Sequence, residues 1–150
     1  MYTLIDLEDE RRKGRKWLFG PLLPESSAQH TKAVEIGYVN LREVEGTDAL
    51  HFHAESEEYY IILRGYIRIQ VGDEIIGVSK GQVLLVKPQT HHFILEVEPD
   101  TQILLVKAPC SGPQKLDYYH SGRIKIQKRG LLCPKSERSA PSSRPGWYLS

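Results

Sequence analysis

The chain is poor in cysteine, in long apolar runs and in any excess of one charge. Its two cysteines, Cys110 and Cys133, are too few for a disulfide framework and lack C-x-x-C spacing. Both are expected to be reduced thiols. No stretch approaches the roughly 20 apolar residues of a membrane helix. The opening residues, MYTLIDLEDERRKGRK, place acidic groups early and have no apolar core of the kind a secretory signal needs. A cytoplasmic protein without a membrane partner is therefore expected. Lys and Arg together number 20 against 19 Asp and Glu, a formal net charge of +1. That balance excludes a strong global attraction to nucleic acid or acidic membranes and leaves only a local patch open. There is no Gly-rich phosphate loop, nucleophile elbow, zinc ribbon or helix-turn-helix.

What is present is strand-forming sequence. A chain of 150 residues fits one domain better than two. Residues 1–32 form a mixed N-terminal extension. In it LEDERRKGRK suits a turn or two of helix, and Trp17, Leu18 and Phe19 suit a short strand or plug against the core. Residues 33–108 are dense in Ile, Val, Leu and Tyr, in the runs VEIGYVNL, ALHFH, EEYYIILRG, YIRIQV, EIIGV, QVLLV, HFILEV and TQILLVK. Gly72-Asp73 fits a tight hairpin, and Ser79-Lys80-Gly81 and Pro99-Asp100 fit further turns. No helical period interrupts the series. The result is an all-β expectation, a sandwich or barrel of about eight short strands. Residues 109–150 form a C-terminal extension rich in Ser, Pro, Gly, Lys and Arg. RIKIQ there suits one more strand, and a flexible tail is expected from Pro134. The basic run Arg123, Lys125, Lys128 and Arg129 reads as a solvated face.

Four of the six histidines fall in the strand-rich zone, and their spacing carries the chemistry. His51 and His53 are two apart on one strand, so they share a face. Glu58 follows after a turn, and His92 arrives on a later strand pair. A closed antiparallel barrel can bring these four inside. Three imidazoles and a carboxylate make a mixed nitrogen and oxygen set. It suits one divalent first-row transition metal: Fe, Mn, Ni, Co or Zn. Such ions accept further ligands, which leaves room for water or substrate.

The pattern His51-x-His53, four residues, Glu58, six residues, Gly65 resembles the first motif of the cupin superfamily, with Gly46 near its usual upstream place. Gly81 through QVLLV to Lys87-Pro88-Gln89-Thr90-His91-His92 resembles the second. Lys87 stands where the family often has proline, Gln89 where it often has glycine and Glu96 where it often has asparagine. The resemblance implies a double-stranded β-helix, the cupin or jelly-roll barrel, with one bound metal and often a homodimer. Within this motif the gap to Gly65 selects Glu58 over its neighbour Glu57 as the fourth ligand. The motif count likewise selects His92 over His91. His30 and His120 read as ordinary residues.

Tyr60 lies two positions beyond Glu58 and shares its face. It is either a core tyrosine with a satisfied hydroxyl or a catalytic proton carrier near the metal. Ile62 on the same face reads as wall. Tyr59, Ile61 and Leu63 point the other way and leave that face apolar, to be covered by a second subunit or by the N-terminal zone. The leading functional expectation is a metal-dependent enzyme acting on a small polar substrate. Its chemistry would be of sugar isomerase or epimerase, lyase or dioxygenase type. The alternative is a non-catalytic cupin that binds or senses a small ligand.

Overall fold

The computed structural model describes residues 2–13, 16–41, 50–110 and 117–119. Gly46, His120, Cys133, the basic run from Arg123 to Arg129 and the expected tail lie outside these residues. Among the described residues the elements are one short helix, α1 (Leu7–Arg12), and ten strands: β1 (Trp17–Phe19), β2 (Glu35–Leu41), β3 (His51–His53), β4 (Glu57–Arg64), β5 (Tyr66–Val71), β6 (Glu74–Ser79), β7 (Val83–Val86), β8 (His92–Val97), β9 (Thr101–Ala108) and β10 (Asp117–Tyr119). Helix α1 starts where the Asp6 carboxylate accepts the amide hydrogens of Glu8 and Asp9, at 2.9 and 3.0 Å. That is the role of an N-cap.

Two five-stranded sheets, in the orders β1-β2-β9-β4-β7 and β10-β3-β8-β5-β6, face each other as a jelly-roll barrel. Every pairing is antiparallel. The eight strands expected between residues 33 and 108 are β2 to β9. Strand β1 extends the first sheet, as the WLF run suggested. Strand β10 was not anticipated: it is three residues long, and its pairing with β3 rather than its composition makes it a strand.

Strand alternation sets the core. On β4, Glu58, Tyr60 and Ile62 are buried while Tyr59 and Ile61 are half-buried on the outside. Tyr60, Ile62, Val86 and Ile103 from one sheet meet Ile67, Ile69, Val78 and Ile94 from the other. The turns obey backbone geometry. Gly72 has a φ of 58° and sits first in the two-residue β5–β6 loop, which fits a II′ turn. Gly65, alone between β4 and β5, has a φ of 78°, a conformation natural only to glycine. A side chain there would also strike Thr101.

Candidate metal centre

Strand β3 supplies two histidines to the interior because Phe52 between them turns outward, where its ring meets His91 at 4.8 Å between centroids. Strand β8 begins at His92, which pairs with His51 across the ladder and with Val71 on the other side. Strand β4 delivers Glu58 one residue inside the barrel end. Two loop contacts brace this end. The Gln89 amide donates to the His53 carbonyl at 2.7 Å, and the Ser56 hydroxyl donates to the Pro109 carbonyl at 2.6 Å. Gln89 holds a φ of 62°. It thus takes the left-handed conformation of the glycine more usual at this motif position, at a steric cost of about 1 kcal/mol.

The four predicted ligand residues come together. One ligand atom from each of His51, His53, Glu58 and His92 lies within 4.8 Å of all the others. Three histidine Nε2 atoms face a single carboxylate oxygen, Glu58 Oε2, at 4.0 Å from His51, 3.0 Å from His53 and 2.8 Å from His92. A fourth group, the Tyr60 hydroxyl, donates to the same oxygen at 3.1 Å. His53, Glu58, Tyr60 and His92 are buried, and His51 is the least buried of the set. The cluster is therefore reached from the His51 side.

The donor chemistry fits a cation. Nδ1 of His92 lies 2.8 Å from the Thr90 carbonyl and donates its hydrogen there, which leaves Nε2 of the neutral ring with a lone pair. That lone pair points at a carboxylate oxygen, and two acceptors at this distance need a positive charge between them. Ligands at about 2.0–2.2 Å from an ion lie up to roughly 4.2 Å apart across it. The observed spread needs only a small contraction. Burial by itself would raise the Glu58 carboxyl. Where protons rather than an ion occupy the Nε2 positions, the hydrogen bonds from His53 and His92, and the charges those rings then carry, outweigh burial and hold the group well below the usual carboxylate range.

The rival residues stand elsewhere. Glu57 points outward, where it accepts from Lys87 Nζ and from the Tyr59 hydroxyl, the latter at 2.6 Å. The Lys87 hydrogen bond, then that of Tyr59, holds its carboxyl below the ordinary value. His91 is exposed, and His30 Nδ1 sits 2.9 Å from the Leu23 carbonyl, away from the cluster. Cys110 is a free thiol. Two inward residues escaped sequence reasoning. Lys107 and Glu35 are buried and paired, with Lys107 Nζ 3.2 Å from Glu35 Oε2. Alternation along TQILLVK would have placed Lys107 on the face of Thr101 and Ile103, inside the barrel.

A jelly-roll barrel with a buried three-histidine, one-carboxylate cluster at its mouth defines the class. Residues 37–106, a little under half of the chain, match the family model described as a cupin domain, and this stretch is a cupin domain. Solved structures share the fold at low identity. KdgF from Halomonas sp. superposes with a TM-score of 0.53 at 14% identity, covering 73% of this chain and 96% of that one. A protein from Planctomyces limnophilus gives 0.53 at 16%, covering 79% and 97%. A uridine-bound variant of Streptomyces PAC13, a protein described as a nucleoside dehydratase, gives 0.52 at 17%, covering 62% and 72%. Among curated proteins none matches the chain in sequence. No helix among the described residues is long and apolar enough to cross a membrane.

Proposed function

We propose that this cupin is a metal-dependent enzyme acting on a small polar molecule, with one divalent first-row transition metal held by His51, His53, Glu58 and His92. The observation that carries the reading is the convergence of three Nε2 atoms on Glu58 Oε2. A bound ion would supply Lewis-acid polarisation of a substrate oxygen. The chain's own groups do the rest. His92 is aimed by its bond to Thr90, and Glu58 is kept ionised by the histidines around it. Tyr60 holds a proton at Oη, within 3.1 Å of the carboxylate, and is placed to pass it to a substrate oxygen or carbon. Isomerisation, epimerisation and β-elimination all need such a transfer. The buried walls around Tyr60, made by Ile62, Val86 and Ile103, keep bulk water from that proton. The uridine in the PAC13 structure supports a small polar ligand for a barrel of this shape.

The outer face of β4 supports a homodimer. Tyr59 and Ile61 share that face with Leu85 and Val83 of β7 and with Val106 and Leu104 of β9. Val83 is 59% exposed and Leu63 36%, an apolar surface suited to a second copy.

The test is metal content of protein purified without a histidine tag. His51→Ala and His92→Ala are each expected to lose at least tenfold in metal affinity with far-UV circular dichroism unchanged. Equal metal in wild type and both variants would end the assignment. Tyr60→Phe is expected to keep its metal and lose 10²-fold or more in turnover of sugar phosphates or keto acids. Saturable binding with no product under any metal would favour the sensor.

A further inference from the structure

Beside the metal cluster the barrel carries a second polar feature that its fold does not require. The inner row at the mouth runs across four strands: Glu35 on β2 lies opposite Lys107 on β9, Lys107 opposite Glu58 on β4, and Glu58 opposite Val86 on β7. The next inner rows are Gly37, Leu105, Tyr60 and Leu84, then Val39, Ile103 and Ile62. The interior is thus charged in one row and almost wholly apolar below it. Lys107 and Glu35 have side chains only 10% and 5% exposed and pair at 3.2 Å. A buried ion pair is no more stabilising than well-packed apolar residues of the same size. Packing alone does not account for it.

The pair is also held in place. The Trp17 ring lies over Gly37, where even a methyl group would come within 3.2 Å of ring carbons. Lys107 Nζ sits 5.2 Å from the centre of that ring, and Lys16 Nζ 5.7 Å from it. These are cation–π distances. Glycine at position 37 thus lets Trp17 into the inner face, and Trp17 with Glu35 fixes where the Lys107 ammonium stands.

We propose that Lys107 and Glu35 form a second substrate-binding point for a polyhydroxylated small molecule whose other end meets the His51, His53, Glu58 and His92 cluster. The inference rests on the metal-centred reading above. An ammonium has three donors and a carboxylate only acceptors. Side by side they match two neighbouring hydroxyls, each of which both donates and accepts. The pair cancels its own charge, so an anionic substrate gains little from Lys107 and is opposed by Glu35. Adjacent strands are about 4.8 Å apart. Glu35 therefore lies roughly 10 Å from Glu58 across the sheet, the reach of a sugar-sized molecule. Trp17 and Gly37 act as positioning residues.

The test uses metal-loaded full-length protein titrated with D-fructose, uridine and the dianion succinate, read by saturation-transfer NMR. Wild type is expected to bind a polyol probe more tightly than succinate. The double variant Glu35→Leu with Lys107→Met is expected to keep its metal and its melting temperature within a few degrees, and to lose at least tenfold in that affinity. Glu35→Gln, which keeps the size and the hydrogen-bonding capacity, serves as a second variant and is expected to weaken polyol binding severalfold. Trp17→Phe retains a ring over Gly37 and is expected to rescue most of the binding lost in Trp17→Ala. Metal-loaded wild type that binds no polyol, that prefers succinate, or whose polyol affinity survives both Glu35 variants overturns this inference alone. Wild type that holds no metal overturns the metal-centred reading instead.

Discussion

Three imidazole nitrogens and a phenol crowd one carboxylate oxygen, Glu58 Oε2, and this sets the response of the site to pH. The Glu58 carboxyl is held below its ordinary value. Its ionised form therefore favours the fold fully above the unfolded value of about 4.3, and that contribution is lost only as pH falls through the lower folded value. Metal release comes earlier, because protons compete for the imidazole nitrogens. With a chelator present, metal content is expected to fall as pH drops from about 7 to 5 while circular dichroism holds. Retention of full metal at pH 5 would count against histidine ligation. At this scale much was legible beforehand. The choice of Glu58 over Glu57 follows from the spacing to Gly65 and agrees with one side chain buried and the other turned to Lys87. Lys107 and Glu35 were not legible as a pair, since 72 positions of sequence separate them and only the β2–β9 register puts them face to face.

Among the elements, the β4–β5 junction shows how a motif glycine serves the site without touching it. Gly65 turns the chain in a single residue while Thr101 presses against it. The Thr101 hydroxyl donates to the Glu98 carbonyl at 2.6 Å and accepts from the Tyr66 amide at 3.2 Å, so it has little freedom to yield. Gly65→Ala adds a left-handed conformation costing about 1–2 kcal/mol to this collision. A loss of at least about 2 kcal/mol is expected in urea unfolding, and a change under 0.5 kcal/mol would contradict the account. The loop before β8 reaches its shape differently. Gln89 accepts the positive φ because its amide is tied to the His53 carbonyl, so departure from the usual glycine leaves the His92 position intact. Strand β10 shows the limit of local reading: three residues have too little pattern to announce a strand, and β3 confers it by pairing.

For the whole molecule, the two sheets bury one face each and leave the β4, β7 and β9 outer face apolar. Helix α1 lies against β2, toward the other edge of that sheet. If a second copy covers the apolar face, Val83→Lys with Leu63→Lys is expected to halve the mass seen by light scattering and to leave metal content unchanged. A monomeric wild type would remove the dimer from the proposal. Legible in the chain alone were the all-β class, the strands β2 to β9 and the shared face of His51 with His53 and of Glu58 with Tyr60. Those properties are periodic and local: a two-residue alternation and a few turn glycines suffice to state them. Which strands are neighbours emerges only in the folded chain. From that came the distances around Glu58, the orientation of His92 by Thr90 and the Lys107–Glu35–Trp17 group. Sheet order and register arise from long-range pairing, whose partners are chosen by burial and backbone hydrogen bonding across the whole chain.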